Sequence, residues 1–495
     1  MSEENRPALG DTAAAVLVFG SSAAVLVVEI VALRLLAPYL GLTLETSTTV
    51  IGLALAAIAV GSWAGGRAAD TTDPRRALGP LLAVSGVVVA LTPYVVNAVG
   101  EVDTSGLLLV VAALTIIVPG ALLSAVTPMV TKLMLHDLGE TGTIVGRLSG
   151  IGTVGAIVGT VLTGFVLISH VRVSVILVGL GLLLVLGAAL VELRVRGWRF
   201  GAGALAVTLL AGTTALVAPG GCDVETTYHC ASVLPDDASP EGRVLQLDGL
   251  RHSYVDLADD EYLEFAYTRA FAAAIDASWP EGEPLAAHHL GAGGVTMPRY
   301  LAATRPGSTS TVSEIDGGVV ALDRAELGLV TGPDLQVRVE DGRLGIGRVE
   351  PGSVDLVVGD AFGGVSVPWH LTTREAVDDV HAALDDDGVY VVNVIDHGAL
   401  AFARAEVRTI AERWPEVALL GRPGPDGLPE GGNLVVVASE RPLDLDGIAD
   451  GLVGRGVDWT VLAGDDLDDW VGDAPVLTDD YAPVDQLLTP YAEVR

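Results

Sequence analysis

The fold of the second half of the chain is decided by residues 284–296, which read PLAAHHLGAGGVT. A short apolar run followed by glycines predicts a β-strand and a tight turn, and the residues after the turn begin a helix-forming stretch. Glycines at such a turn let the backbone approach a ligand, and the first N–H groups of the next helix attract anions. We therefore expect a ligand to contact Gly291, Gly293 and Gly294.

Strand-like and helix-like segments then alternate along the chain. This alternation predicts an α/β domain over residues 281–495 with a doubly wound, mostly parallel sheet of the Rossmann or methyltransferase type. His288 and His289, before the glycine turn, and His397 are interpreted as solvated residues rather than acid–base catalysts. The predicted strands are 284–290, 309–313, 335–339, 354–358, 388–395, 417–420 and 434–438, and the predicted helices are 298–304, 317–327, 373–384, 400–414 and 442–451.

Acidic residues follow three of these strands. Glu314 and Asp316 follow the second strand, Asp341 the third and Asp360 the fourth. Ligands of such sheets bind at the carboxyl ends of the strands, and a carboxylate after the second strand can accept hydrogen bonds from ribose hydroxyls. Together with the glycine turn, these residues predict an adenosine site in which Glu314 meets the ribose and Asp341 the adenine edge. The alternative is that Asp341 and Asp360 only cap helices or turns.

The first 221 residues have a different character, because apolar runs of spanning length recur there. The mean hydropathy of the whole chain is +0.52. Since a spanning helix needs about 20 apolar residues, we expect an all-α transmembrane bundle and a multi-pass protein of the cell membrane, with the lipid bilayer as partner. About seven spans are predicted, at 12–33, 48–64, 77–99, 107–130, 148–168, 173–191 and 201–217.

Three features of this half carry further expectations. Glycines four residues apart between Gly150 and Gly164 predict closely packed helices. Glu29 lies in the first apolar run, where a carboxylate needs a partner or a function; Arg34 is the candidate partner, and a transport role is the alternative. With seven spans, the basic loops place the amino terminus inside and the soluble part outside.

Residues 222–280 separate the two halves. Strand-like segments here predict a small antiparallel sheet, and a helix is expected at 261–277. The only cysteines, Cys222 and Cys230, either form a short disulfide loop or remain two thiols. Their spacing predicts no metal site.

The net charge of −34 is carried almost entirely by the second half. The first 221 residues contain 12 acidic and 11 basic residues, and the remainder contains 50 acidic and 17 basic residues. Every basic residue except Lys132 is an arginine. An acidic, lysine-poor surface stays hydrated in concentrated salt, so we expect a halophilic environment. The lack of a basic patch excludes nucleic acid as a partner.

The sequence resembles the spermidine synthase (polyamine aminopropyltransferase) family, in the form fused to an amino-terminal multi-pass membrane domain. The resemblance rests on the glycine turn and the acidic strand ends named above, and on further segments in both halves. These segments are EIVALRLLAP (29–38), the glycine-rich stretch 150–164, LDG (247–249) with His252 and Ser253, Tyr267, PWHLTT (368–373) and LTDDYAP (477–483).

This resemblance implies a transferase of polyamine biosynthesis. Such an enzyme moves an aminopropyl group from decarboxylated S-adenosylmethionine to an amine acceptor. Asp360 is then the catalytic residue, and His252 and Tyr267 bind substrate. The nucleoside donor, or S-adenosylmethionine, is a co-substrate, and no tightly bound cofactor or metal is expected. The partners are the small-molecule donor and acceptor, and a homodimer is compatible with the resemblance.

The sequence departs from the family pattern at the amine end. Gly294 and Gly363 stand where an acid is usual, His252 replaces a glutamine, and Thr268 and Arg269 replace a His-Glu pair. The nucleotide site is therefore better preserved than the amine site. Two alternatives stay open. One is a methyltransferase-type enzyme that uses S-adenosylmethionine, and the other is a non-enzymatic membrane transporter or sensor with a nucleoside- or polyamine-binding domain.

Overall fold

The computed structural model of the protein divides into two compact units, Met1–Tyr228 and His229–Arg495. The residues that it describes are 10–40, 44–100, 105–135, 138–168, 171–196, 222–291, 293–364 and 366–489.

The first unit is helical throughout most of its described length. Its buried core is aliphatic, with fully buried Val18, Val31, Val89 and Leu123 among its members. The helices are Asp11–Leu40, Leu44–Thr71, Pro74–Gly100, Ser105–Ser124, Val126–Met134, Thr141–Leu162 and Val173–Arg196, with a 3₁₀ turn at Leu138–Glu140, a π-helical turn at Thr163–Leu167 and a two-residue strand, β1, at Val224–Glu225.

Within the described ranges, six segments are long and apolar enough to cross a membrane. The first six predicted spans coincide with them. The seventh predicted span, 201–217, lies outside the described residues. The fourth span is interrupted between Ser124 and Val126. Pro128 explains this break, because proline has no N–H to donate to the carbonyl of Ser124 one turn earlier.

The glycine-rich helix Thr141–Leu162 packs against the first helix of the unit. A Cβ at Gly159 would lie 2.7 Å from the carbonyl oxygen of Ala23, and a Cβ at Gly155 would collide with the carbonyl of Phe19. Gly150 on the same helix has nothing within 4 Å of its Cβ position. The glycines therefore allow the close helix contact that the sequence predicts, on one face only.

The predicted pair between Glu29 and Arg34 is not formed. Nη2 of Arg34 donates a hydrogen bond to the carbonyl of Thr226 at 2.7 Å. Among the described residues, Glu29 has no hydrogen bond or ion pair, although its side chain is half-buried. Five residues separate the two positions, one more than the spacing of four that brings helix side chains together.

The second unit begins with an antiparallel sheet of β2 (Cys230–Pro235), β3 (Gly242–Leu247) and β4 (Leu250–Asp256). Asp248 and Gly249 form the turn between β3 and β4, and both have positive φ, of 51° and 81°. Of the two states that the sequence leaves open for Cys222 and Cys230, the structure contains the oxidised one, because both are disulfide-bonded.

A mixed eight-stranded sheet forms the centre of the second unit. Its strands lie in the order β12-β10-β11-β9-β8-β5-β6-β7. β5 pairs in parallel with β6 and β8, and β9 continues that direction, whereas β11 and β12 pair antiparallel to their neighbours. The strands are β5 (Ala286–Leu290), β6 (Thr309–Glu314), β7 (Leu335–Val339), β8 (Val354–Gly359), β9 (Leu384–Asp396), β10 (Glu416–Pro423), β11 (Pro429–Ser439) and β12 (Thr460–Ala463).

Apolar side chains on both faces of this sheet are covered by helices, as expected for a doubly wound sheet. Phe402 and Val436 belong to one buried cluster, and Phe271 and Val435 belong to the other. The expected fold class is thus confirmed, with a mixed rather than nearly all-parallel sheet. The helices are Ala266–Ser278, Thr296–Thr304, Gly317–Glu326, Gly342–Ile346, Arg374–Ala383, Ala401–Ala411, Leu445–Gly454, Gly464–Val471 and Val484–Leu487, with a 3₁₀ turn at Trp369–Leu371.

The glycine contact in the first unit gives a testable prediction. We expect Gly159→Leu to destabilise the detergent-solubilised protein by about 1–3 kcal/mol, because the new side chain must push two helix backbones apart. Gly150→Leu is the matched control and should leave the melting temperature unchanged. Equal melting temperatures for the two variants would contradict the proposed packing.

Candidate active site

A cavity of about 490 Å³ lies at the carboxyl ends of β5, β6, β7 and β8. Most residues predicted from the sequence line it, and two do not. Gly294 is buried beside β4, where a Cβ would lie 3.0 Å from Oγ of Ser253. Asp316 is fully buried, and its carboxylate accepts the N–H of Gly318 at 2.8 Å as a helix cap. The predicted residues that line the cavity are Gly291, Gly293, Glu314, Asp341, Asp360, His252 and Tyr267.

The cavity opens where the strand order reverses. The chain runs from β5 to β6 and β7 on one side and then returns to β8 on the other side of β5. Gly291 directly follows β5 and has φ of 89°, and a Cβ there would collide with the carbonyl oxygen of Asp360. The N–H of Asp360 in turn donates to the carbonyl of Leu290 at 2.9 Å. Glycine is therefore required for the two strand ends to approach this closely.

The carboxylate of Asp360 receives one hydrogen bond on each oxygen. The hydroxyl of Tyr267 donates to Oδ2 at 3.0 Å, and Nδ2 of Asn393 donates to Oδ1 at 3.0 Å. Asn433 on β11 donates its Nδ2 to Oδ1 of Asn393 at 3.0 Å, which fixes the orientation of the Asn393 amide. All four side chains line the cavity. The two asparagines were not predicted, although Asn393 is a polar residue within the apolar run of β9.

Burial raises the pKa of Asp360 to about 6, and the hydrogen bonds from Asn393 and Tyr267 act in the opposite direction. Asp360 is half-buried and lines the cavity. Desolvation disfavours the ionised form of a carboxyl group, whereas hydrogen-bond donors to its oxygens favour the ionised form. Asp360 is therefore mostly ionised at neutral pH but can accept a proton, as a general base must.

Glu314 lines the cavity, and a hydrogen bond within the turn after β6 orients its side chain. Its Oε1 accepts the N–H of Asp316 at 2.8 Å, and the side chain is half-buried at the end of β6. Behind it lies Asp323, which is fully buried and whose pKa is raised to about 8, first by burial and then by the charge of Glu314.

Asp341 caps a helix, which is one of the two roles considered from the sequence, and it also lines the cavity. Its Oδ1 accepts the N–H of Leu344 at 3.1 Å and caps the short helix Gly342–Ile346. Its Oδ2 lies 3.0 Å from Nε2 of His370, and both residues line the cavity.

His288 and His289 are not solvated, so that part of the sequence interpretation was wrong. They lie within β5, nearly fully buried, where Nε2 of His288 is 3.1 Å from Oγ of Ser313 and Nε2 of His289 is 3.2 Å from Oγ of Ser310. Burial lowers the pKa of His288 to about 4 and that of His289 to about 3. Both histidines are neutral residues of the sheet, and each is a hydrogen-bond partner for a serine hydroxyl of β6.

Aromatic and basic side chains complete the lining near Tyr267. The rings of Phe265 and Tyr267 are stacked, with centroids 5.9 Å apart at 21°. The guanidinium carbon of Arg251 lies 5.4 Å from the centroid of Phe265. Arg269, which replaces a family acid, donates Nε to the carbonyl of Leu263 at 2.7 Å and is not among the lining residues. Arg251 lines the cavity and was not predicted; among the described lining residues it is the one arginine.

No family model matches the chain. A polyamine aminopropyltransferase from Chromobacterium violaceum is 29% identical to it over 141 residues, which are 28% of this chain and 53% of that protein. The chain thus spans about half the length of this curated relative. The match confirms the resemblance to spermidine synthases as homology over the matched residues.

Two solved structures are similar to the chain. A probable spermidine synthase from Corynebacterium glutamicum has 27% sequence identity and a TM-score of 0.49, and the likeness covers 53% of this chain and 97% of that one. A spermidine synthase in complex with the transition state analogue AdoDATO has 18% identity and a TM-score of 0.35, over 46% of this chain and 73% of that one.

The close approach of Gly291 to Asp360 can be tested by substitution. Gly291→Ala should lower the free energy of unfolding by more than Gly282→Ala. Both sites have positive φ, of 89° and 75°, but only Gly291 has backbone atoms in the way of a Cβ. The control should lose about 1–2 kcal/mol from the left-handed backbone alone. Thermal unfolding of the two variants measures the difference, and equal losses would contradict the account of the strand ends.

Proposed function

We propose that the second unit is a spermidine synthase-like aminopropyltransferase, which transfers an aminopropyl group from decarboxylated S-adenosylmethionine to an amine. The observation that carries the proposal is Asp360, a partly exposed carboxylate with a raised pKa at the strand crossover. Homology to a polyamine aminopropyltransferase over 141 residues supports the same reaction class.

The donor fits the part of the cavity formed by the ends of β5, β6 and β7. Gly291 and Gly293 leave room for the nucleoside, Glu314 accepts hydrogen bonds from the ribose hydroxyls, and Asp341 faces the adenine. This arrangement directs the sulfonium of the donor toward Asp360. The position of these four residues along the sheet edge supports the proposed roles.

In the proposed reaction, the lone pair of the acceptor amine attacks the methylene carbon next to the sulfonium. The new C–N bond forms as the C–S bond breaks, and its electron pair returns to sulfur, which leaves as neutral methylthioadenosine. An amine with a pKa of about 10 is protonated near neutral pH and cannot attack until it loses that proton. Asp360 accepts the proton and orients the amine, while Tyr267 and Asn393 hold the carboxylate in place.

We further propose that the first unit anchors the enzyme in the cell membrane as a multi-pass domain. Six described segments have the length and apolarity for this role. Helices suit this role because a segment in lipid is stable only if its backbone N–H and C=O groups form hydrogen bonds within the protein. The soluble donor and acceptor, and the lipid bilayer, are then the partners of the protein.

Methyl transfer from S-adenosylmethionine is the second candidate. The observation that favours it is Arg251, a cavity-lining cation that could bind the carboxylate of that donor. The two reactions leave different products, since methyl transfer releases S-adenosylhomocysteine and aminopropyl transfer releases methylthioadenosine. Chromatography of the reaction mixture therefore separates them.

The central test of function is product release by the full chain. Purified protein in concentrated salt, supplied with decarboxylated S-adenosylmethionine and an amine, should release methylthioadenosine. Asp360→Asn should reduce kcat by about a hundredfold or more, since general-base catalysis contributes at least that much. Asp479→Asn, at an acidic residue outside the cavity lining, is the control. Full activity of Asp360→Asn, or no product from the wild type, would refute the proposal.

The pH dependence gives a separate prediction. Because Asp360 must be ionised, kcat/KM should rise with pH through about 6. Tyr267→Phe removes a donor that favours the ionised form, so it should raise the pKa of Asp360 and move this rise to higher pH. Tyr300→Phe removes a hydroxyl that bonds to Asp276 instead and should leave the profile unchanged. A shift to lower pH in Tyr267→Phe would contradict the role assigned to the hydroxyl.

A further inference from the structure

A series of side-chain contacts leads from Asp360 to a cation at the cavity lining. Tyr267 donates to Asp360, its ring stacks on Phe265, and Phe265 lies under the guanidinium of Arg251. Arg251 is exposed. The charge of Arg251 helps to lower the pKa of Asp236, which is a carboxyl group outside the cavity lining. Asp360 and Arg251 thus line the same cavity, with two aromatic rings between them.

Carboxylates are scarce at this end of the cavity. Among the described residues, the carboxylates that line the cavity are Glu314, Asp341 and Asp360. The first two are assigned to the donor, and Asp360 is assigned to the attacking nitrogen. Position 363 is a glycine, and residues 292 and 365 are alanine and valine. No described lining carboxylate is left to pair with a second ammonium group of the acceptor.

The neighbouring histidines add no negative charge. Nδ1 of His229 lies 2.7 Å from Oδ2 of Asp248, and the other oxygen of Asp248 accepts the N–H of Cys230 at 2.9 Å. Asp248 is buried and is not among the lining residues. The ring centroids of His252 and His229 are 6.2 Å apart, and both residues line the cavity. Burial lowers the pKa of His252.

The charges of the bound donor and of Arg251 determine which acceptor charge is favourable. The bound donor already carries two positive charges, on its sulfonium and on its aminopropyl ammonium. A diamine would add an unpaired ammonium close to Arg251, whereas a carboxylate there would meet the planar guanidinium, which binds carboxylates with two parallel hydrogen bonds. Repulsion and attraction of this kind are strong in a partly desolvated cavity.

We propose that the acceptor is an amino acid-like molecule, with one nucleophilic amine at Asp360 and a carboxylate held by Arg251, and not a diamine. This inference rests on the proposed aminopropyl transfer and names its acceptor class. The transfer step is the same: the acceptor nitrogen forms the C–N bond, sulfur takes the electron pair of the broken C–S bond, and Asp360 takes the proton.

Three acceptors with the same four-carbon chain test this inference: 4-aminobutanoate, 1-aminobutane and 1,4-diaminobutane. We expect kcat/KM to decrease in that order, with 4-aminobutanoate better than 1,4-diaminobutane by about tenfold or more, because their far ends carry opposite charges. Arg251→Gln should abolish most of this difference. Arg243→Gln, on the neighbouring strand of the same small sheet and outside the cavity lining, should preserve it.

Two outcomes would overturn the inference while leaving aminopropyl transfer intact. One is a preference for 1,4-diaminobutane in the wild type. The other is an Arg251→Gln variant that raises the donor KM equally with every acceptor, since Arg251 would then bind the donor. If no acceptor gives methylthioadenosine, the proposed function fails instead. Calorimetry of the three amines on the full chain, with methylthioadenosine present, then still tests the acceptor class: tightest binding of 1,4-diaminobutane overturns it, and tightest binding of 4-aminobutanoate supports it.

Discussion

The arrangement of the second unit depends on one constraint, which is that a carboxylate must stay ionisable while it is kept out of bulk water. Burial moves the pKa of Asp360 from 3.8 to about 6, which disfavours its charged form by about 3 kcal/mol. The donors Tyr267 and Asn393 limit this cost. The close contact between the ends of β5 and β8 fixes the backbone from which the carboxylate projects. Gly291, Tyr267 from the preceding helix and the asparagines of the next two strands of the sheet, β9 and β11, all position this carboxylate.

Much of this fold could be predicted from local sequence. The strands β5 to β8 are short segments that end at or next to a glycine or an acidic residue, and the sequence alone shows such boundaries. β12 was missed because four residues are too few for a periodic signal, and β11 is longer than its apolar centre because its first residues are polar or glycine. The break after Ser124 was missed because only the proline four residues later reveals it.

The candidate site was predicted less completely, for a physical reason. Glu314, Asp341 and Asp360 follow strands directly, so their place at the sheet edge follows from topology. Asn393, Asn433 and Arg251 reach the site through contacts between strands or between a hairpin and a helix, and the sequence does not contain that information. Asp316 shows the reverse case: it is only two residues from Glu314, but its carboxylate is used to cap the following helix.

The proposed chemistry also requires the cavity to distinguish two closely related nucleosides. S-adenosylmethionine differs from its decarboxylated form by one carboxylate, which is on the chain attached to the sulfonium that the proposed binding mode directs toward Asp360. Calorimetric titration of the full-length protein with both compounds measures this discrimination directly. Tighter binding of the decarboxylated donor is the result that we predict, because two carboxylates repel each other in a partly dry cavity. Tighter binding of S-adenosylmethionine would contradict the assignment of Asp360 as the group that receives the acceptor amine.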